Sequence, residues 1–468
     1  MDNDKPIEKC GVVAAAVSGD AAPYIYYSLW ALQHRGQEIA GIATFDNGIN
    51  CIKKRGLVHE VFGPEEISSL KGTCGIGHVL YSIKLSKYEN FQPVVVNTSV
   101  GDIAVGHNGI IINSKILREE LKAKGHAFVT DTEEEAMIYI LADELSSTGN
   151  VVRALKNMTK KLIGSYSLVF IINGRIFALR DEYGIKPLCI GKLDNGYVVA
   201  SESVALDAID AKLVRDVSPG EIVELKSTSI ESTMIASPKN TAHCVFEWVY
   251  FARPDSLMDG RYGYEVRIEI GKRLAREYPV KADLVCPIPD SGRTHALGYS
   301  MESKIPYSEG LMKNRYIGRT FIMPHQEMRD LSIKMKLNTV RPLIEGKRIV
   351  LVDDSIVRGS TIKKIVQFIR NANAKEIHIR IGFPPIVAPC YFGIDMTNRG
   401  ELIASAKTVD EIAKEIAADS LEFLTVKELV ESIGKPYDDL CLGCLTKEYP
   451  IEISGERVRF QKSLDLYK

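Results

Sequence analysis

The stretch RIVLVDDSIVRGSTIKKIV, residues 348–366, gathers more groups able to do chemistry than any other part of the 468-residue chain. An apolar run ends in two adjacent carboxylates, Asp353 and Asp354. A loop with Ser355, Arg358 and Gly359 follows, and Ser360 and Thr361 open a helical pattern. A strand, loop and helix in that order place a ligand just beyond the strand's carboxyl end. Loop amides and a helix N-terminus suit an anion, and Gly359 lets a phosphate come close to the backbone. The carboxylates cannot bind phosphate, but they accept hydrogen bonds from sugar hydroxyls or help to hold Mg²⁺. Sugar at the carboxylates and phosphate in the loop describe a ribose 5-phosphate. For a bare DD pair, a structural strand–turn–helix with solvated aspartates explains the pattern equally well.

Cysteines form the second set. The chain has nine, an odd and scattered number, which argues against a disulfide framework and for reduced thiols. Cys441 and Cys444 make a CxxC that alone reads as half a zinc site, a redox pair or coincidence. Cys10 heads the apolar run CGVVAAA after nine mostly polar residues, MDNDKPIEK. Composition favours a buried thiol there, because free Cys is among the most buried residue types. A nucleophile at that place needs those nine residues removed.

The elements around these groups fall into two rhythms. From residue 10 to about 225, short β-branched runs such as GIATF, GDIAVGHNG, SYSLVFIIN and YVVASES alternate with turns and read as strands. Helical patterns interrupt them at 24–33 and at 132–145, the second with Asp131 or Thr132 as N-cap. The polar stretch 226–243 reads as a linker. Beyond 245, strands (LVCPIP, RIVLVDD, EIHIRIGFPP) alternate with helical patterns at 264–277, from 294 and at 361–371, the signature of a parallel sheet. Two short helical patterns and a tail with CLGC complete the chain. Lys plus Arg number 59 against 60 Asp plus Glu, a balance that argues against a nucleic-acid binder. No export signal or membrane-length apolar run is present, so the expected location is cytoplasmic, with no membrane partner.

The string VLVDDSIVRGST (350–361) resembles the signature loop of type I phosphoribosyltransferases, which use phosphoribosyl pyrophosphate (PRPP). It is most similar to the loop of the glutamine PRPP amidotransferase family, which opens purine synthesis. CPIPDSGRTHALGYS resembles that family's pyrophosphate-side loop, which implies that Ser291 contacts Mg²⁺ alongside Asp353 and Asp354, with one Mg²⁺ per subunit. KNRYIGRTFIMPHQEMR resembles its mobile lid, implying pyrophosphate contacts from Lys313 and Arg319. The resemblance makes Ser355, Arg358, Gly359, Ser360 and Thr361 PRPP-binding residues. It also places Cys244 and Cys390 with Cys441 and Cys444 as ligands of the family's iron–sulfur branch. Four thiolates suit a [4Fe–4S] cluster, favoured by the resemblance, or Zn²⁺, and spacing does not separate the two. Cys51, Cys74, Cys189 and Cys286 read as buried residues.

The first half resembles the N-terminal nucleophile glutaminases. The resemblance implies that Cys10 is the nucleophile, its free α-amine the base, and Asn108 and Gly109 of GHNGIIIN the oxyanion loop. ALQHRGQEIAGI (31–42), with Arg35 implied to bind substrate, RDEYGIKPL and ASES continue the match. One position departs from the family. After GHV, an Arg clamps the glutamine α-carboxylate, whereas this chain reads GHVLYSIKLSKYENFQP with Leu80. Each lost charged hydrogen bond is worth ~1.5–3 kcal/mol, so losing the bidentate pairing is enough to weaken binding tens- to thousands-fold. Lys84 is a possible substitute cation, and Asp131 or Glu133 of TDTEEEAM would take the α-amino group. The expected architecture is therefore a propeptide (1–9), an αββα glutaminase domain (10–230), a phosphoribosyltransferase domain (245–405) and a ligand-bearing tail (406–468). The expected reaction joins the nitrogen of glutamine to PRPP, in a homodimer or homotetramer inhibited by purine nucleotides. A glutaminase-impaired relative that uses ammonia, or a non-catalytic PRPP or nucleotide sensor, is the alternative that Leu80 raises. A glutamine-dependent synthetase or aminotransferase would lack VLVDDSIVRGST.

Overall fold

A computed structural model describes residues 10–81, 91–235, 241–314, 337–396, 398–453 and 457–458. The run CGVVAAAV forms β1 (Cys10–Val17), buried along its whole length. Strand residues alternate between faces, so an unbroken apolar run means that both faces are covered. Val13, Ala15 and Val17 pack toward α1 (Ala22–Ala31), while Val12, Ala14 and Ala16 pack against a second sheet.

The first sheet joins β1 to β2 (Ile39–Phe45), β3 (Ile49–Arg55), β4 (Cys74–Leu80), β9 (Cys189–Leu193), β10 (Gly196–Ala200) and β11 (Lys212–Asp216), in the order 11-9-10-1-4-2-3. The second contains β5 (Val94–Thr98), β6 (Gly101–Ile111), β7 (Gly164–Ile172), β8 (Arg175–Arg180), β12 (Glu221–Leu225) and β13 (Ile230–Met234), in the order 13-12-8-7-6-5. Helices α2 (Glu133–Thr148) and α3 (Val151–Thr159) cover its outer face. Helix, sheet, sheet and helix layers make the expected αββα stack.

The stretch read as a linker contains β13, an edge strand paired antiparallel to β12. Edge strands keep one side unpaired, and four of its five residues are exposed, so its Ser and Thr content imitates a loop. Cys51 is half-buried rather than buried, because β3 is the edge of its sheet. Thr132, not Asp131, caps α2, its hydroxyl accepting the Glu135 N–H.

The second half holds a four-stranded parallel sheet of β15 (Leu284–Pro287), β16 (Arg348–Asp353), β17 (Glu376–Ile381) and β18 (Ser420–Phe423). Helices α4 (Gly263–Glu277) and α5 (Gly292–Ser303) contribute to the core on one face, and α6 (Ser360–Asn371) to that on the other. β14 (His243–Cys244) pairs in parallel with β19 (Leu440–Cys441), tying the tail back to the entry of this half. Among the described residues, no helix is long and apolar enough to cross a membrane.

Buried charge fastens the halves together. Arg35, just after α1, pairs with Glu202 beyond β10 and with Glu247 of the second half. Glu202 also accepts from His34, the Arg253 N–H and the Ser256 hydroxyl. Burial opposes its charge, but His34 and Arg35 outweigh burial and hold its pKa far below the ordinary carboxylate range. Removing one partner of a buried pair leaves charge uncompensated. Glu202→Gln is therefore expected to cost about 3–5 kcal/mol in urea denaturation, and a loss below about 1 kcal/mol would contradict this role.

Candidate active sites

Cys10 begins β1 and is 5% exposed. Its backbone partner across the ladder is Leu80, the last residue of β4, which also pairs with Ile39 of β2. Directly opposite residues of an antiparallel pair point to the same face, so the Leu80 side chain stands beside that of Cys10. Leu80 thus sets an apolar side chain beside the candidate nucleophile. Lys84 lies outside the described residues, as does the segment 1–9.

Asn108 and Gly109 sit near the end of β6, whose Gly106 lies under Val12 of β1. The Asn108 side chain is fully buried, and neither its Nδ2 nor its Oδ1 has a hydrogen-bond partner among the described residues. A buried amide without partners is costly, ~1–3 kcal/mol, and marks a place where a polar ligand belongs. Gly109 has φ +148°, and a Cβ there would lie 2.0 Å from the Ser165 carbonyl oxygen. No other residue fits.

Buried polar groups lie beneath this strand that sequence reasoning missed. His107 Nδ1 donates to the Glu134 carboxylate at 2.9 Å, Gln92 Oε1 accepts the His107 backbone N–H, and Gln92 Nε2 donates to Glu134. Burial pushes the His107 pKa down, but the hydrogen bond and charge of Glu134 outweigh it and raise the pKa. His78 places Nε2 3.0 Å from the His107 carbonyl oxygen. His107, Glu133 and Glu134 hold donor atoms within 4.8 Å of one another, and hydrogen bonds within the protein account for each. The HNG string exposes His107 to sequence reasoning, whereas Glu134 is 27 residues away and becomes its partner only in the fold.

The two acidic candidates differ. Glu133 accepts the Ile111 N–H at 2.8 Å, while the Asp131 carboxylate is exposed, 3.8 Å from Arg118. Arg35 is not open to a substrate as expected: its fully buried guanidinium is occupied by Glu202 and Glu247.

In the second half, Asp353 closes β16 and Gly359, at φ +81°, caps α6. Asp353 and Asp354 are both buried. Ser291 caps α5 with its hydroxyl 3.4 Å from Asp353 Oδ1, so the two loops meet. Ser355 donates to Asp354, and Arg358 pairs with Glu401. Ser360 and Thr361 open α6, presenting its N-terminus to the loop. Beneath the loop lies the buried Arg267, whose pKa burial lowers to about 10 against the opposing charge of Asp354. Lys313 reaches Asp290 at 2.8 Å, and Arg319 lies outside the described residues.

Cys244, Cys390, Cys441 and Cys444 line one cavity together with Ile185, Phe246 and Tyr449. Cys244 and Cys441 are register partners in the β14–β19 pair, and the Cys444 carbonyl accepts from Val387 and Ala388 near Cys390. Burial pushes the thiols of Cys244 and Cys444 well above their usual pKa, Lys186 opposing this at Cys244. Four cysteines lining one apolar cavity fit a soft cationic centre, which offsets that burial cost by binding thiolate.

Comparison with known proteins assigns a domain type to each half. Residues 79–208 match a glutamine amidotransferase domain and residues 260–382 a phosphoribosyl transferase domain. The chain is 49% identical to the amidophosphoribosyltransferase of Archaeoglobus fulgidus over 96% of its own length and 99% of the relative's. It is 51% identical to that of Methanocaldococcus jannaschii, covering 94% and 96%. The glutamine PRPP amidotransferase of B. subtilis, solved with ADP and GMP, superposes with a TM-score of 0.89 at 40% identity, covering 96% and 99%.

One titration follows from the groups under β6. Burial lowers the His78 pKa from 6.5 to about 4, so the folded protein binds fewer protons than the unfolded chain between those values. Stability from this group is full above pH 6.5 and is lost as pH falls toward 4, at up to about 1.4 kcal/mol per pH unit. His107, raised, is lost in the opposite direction as pH rises, and Glu134, lowered, matters only below its unfolded value of 4.5. His78→Gln is expected to flatten the acid limb by one proton in urea melts between pH 6.5 and 5. An unchanged slope would contradict a neutral buried His78.

Proposed function

Because this chain belongs to the amidophosphoribosyltransferase family, we propose that it converts glutamine, PRPP and water to 5-phosphoribosylamine, glutamate and pyrophosphate. The observation that carries the glutamine half is the buried, unpartnered amide of Asn108 beside Gly109, on a strand stacked over that of Cys10. Residues 10–230 would form the glutaminase unit, 245–405 the phosphoribosyltransferase unit and 406–468 the tail.

In this reading Lys9–Cys10 cleavage frees the Cys10 α-amine. That amine takes the thiol proton as sulfur attacks the glutamine carboxamide, then returns it to the departing ammonia. Asn108 Nδ2 and the Gly109 N–H hold the oxyanion. Asp131 takes the substrate α-amino group, because Glu133 is committed to the Ile111 N–H. Water then releases glutamate from the thioester.

Ammonia displaces pyrophosphate at C1 of PRPP. The amides of 355–361 and the α6 N-terminus hold the 5-phosphate, and Asp353 and Asp354 hold the ribose hydroxyls. Lys313 and Arg319 would contact the pyrophosphate. Asp353, Asp354 and Ser291 would hold Mg²⁺, which neutralises charge on the leaving pyrophosphate when bound. Cys244, Cys390, Cys441 and Cys444 would hold a [4Fe–4S] cluster that ties the tail to the second half without moving electrons. The B. subtilis relative carries ADP and GMP, and this supports purine-nucleotide inhibition here. A cytoplasmic homodimer or homotetramer completes the reading.

Leu80 favours a second reading, in which glutamine is poorly held and the enzyme uses free ammonia. Cys10→Ala is expected to abolish phosphoribosylamine synthesis from glutamine and to spare synthesis from ammonium. Leu80→Arg restores a bidentate clamp and should lower the glutamine KM by ~10-fold or more with kcat little changed. Wild-type turnover with ammonium alone would establish the second reading, and no turnover with either source a sensor. Metal analysis is expected to find iron and sulfide in equal amounts and no zinc, lost on Cys441→Ser; zinc without sulfide would overturn the cluster.

A further inference from the structure

The loop that carries Cys390 also touches the oxyanion strand of the other half. Ser165 Oγ, fully buried at the second residue of β7, donates to the Phe392 carbonyl at 2.9 Å across 227 residues of sequence. The same Oγ lies 3.4 Å from the Ile110 N–H, and the Ser165 carbonyl is the atom against which Gly109 packs. Gly393, at φ +108°, completes the contact: a Cβ there would lie 3.4 Å from the Gly109 Cα and 3.0 Å from the Lys186 Cε. The loop is itself anchored, for the Phe392 N–H points to the Cys390 sulfur at 3.4 Å.

We propose that Ser165 is a positioning residue for the oxyanion hole, bracing Gly109 against the 390–393 loop so that this loop sets the efficiency of glutamine cleavage. Gly109 has no side chain to lock its own orientation, and its φ lies where few residues rest. Its N–H direction therefore depends on what presses on its backbone. Ser165 stands against it from β7, and Gly393 faces it from the far half, leaving little room for a side chain between them. An oxyanion donor displaced by a fraction of an ångström costs transition-state binding while leaving ground-state contacts largely intact. The role rests on the glutaminase reading above.

The test uses the full-length enzyme with Ser165→Ala and, independently, Gly393→Ala from the opposite side. The probe is glutamate γ-semialdehyde. The Cys10 sulfur adds to its aldehyde carbon, the C=O π electrons move to oxygen, and the thiol proton passes to the Cys10 α-amine. The product leaves an oxyanion in the hole. Both variants are expected to bind the aldehyde ~3–10-fold more weakly and to lose kcat with glutamine by the same factor, the size of one hydrogen bond. Glutamine KM, L-glutamate inhibition and ammonium-dependent synthesis should stay within twofold. Unchanged aldehyde affinity, or an equal loss of the ammonium-dependent rate, overturns the positioning role. A wild-type enzyme that does not bind the aldehyde overturns the glutaminase reading itself, and the positioning role with it.

Discussion

Arg35 is the point on which the two halves turn. Its guanidinium is buried, and carboxylates from both halves hold it: Glu202 from the first, Glu247 from the second. A planar fork with several donors suits two partners at once, which an ammonium would serve less well. Such a cluster contributes little net stability, because desolvation offsets most of the attraction. Its value is in register. Glu202 accepts the Arg253 N–H and the Ser256 hydroxyl, so the segment entering the second half can dock in one alignment only. Two chemistries that share a nitrogen need a fixed relation between their sites, and buried charge supplies one that apolar packing alone would leave free to slide.

The same requirement explains where glycine and small residues gather. β1 is Gly, Val and Ala after its cysteine, which lets both sheets and α1 close over it without voids. At Gly109 the approach is tighter still, backbone against backbone. The candidate glutaminase site is therefore a seam between closely approached strands, in which the proposed donors would come from the main chain and from one amide. The phosphate loop is built differently. Its groups follow one another along β16, a turn and α6, and contacts from elsewhere in the fold, such as Ser291 on Asp353 and Glu401 on Arg358, buttress it.

That difference decided what the sequence could reveal. The phosphate loop is contiguous, so its strand, turn and helix N-terminus are legible in fourteen residues, and α6 begins at Ser360, one residue before the expected start. The buried run of β1 and the alternation of the second half were equally plain. The bracing of the glutamine site was not. Glu134 reaches His107 across 27 residues and Ser165 reaches Phe392 across 227, and no local pattern encodes either. Arg35 illustrates the reverse error. Its place beside a matching turn suggested a substrate contact, yet two buried carboxylates hold it. The edge strand at Ile230–Met234 passed for a linker because one unpaired, solvated side gives strands the composition of loops.

Leu80 is the sharpest test of the glutaminase reading because the fold fixes its place beside Cys10. Its backbone is held on both sides, by Cys10 and by Ile39, and its carbonyl accepts the Glu38 N–H. No shift of strand register explains the substitution away, since a one-residue slip would turn Cys10 and every neighbour to the opposite face. In the proposed glutaminase reading a cation here would meet the substrate carboxylate. An apolar side chain would leave the oxyanion donors and the thiol in place and remove attraction for one end of the substrate only. Loss of that kind falls on ground-state and transition-state binding alike, so it belongs to KM, while the geometry at Gly109 belongs to kcat.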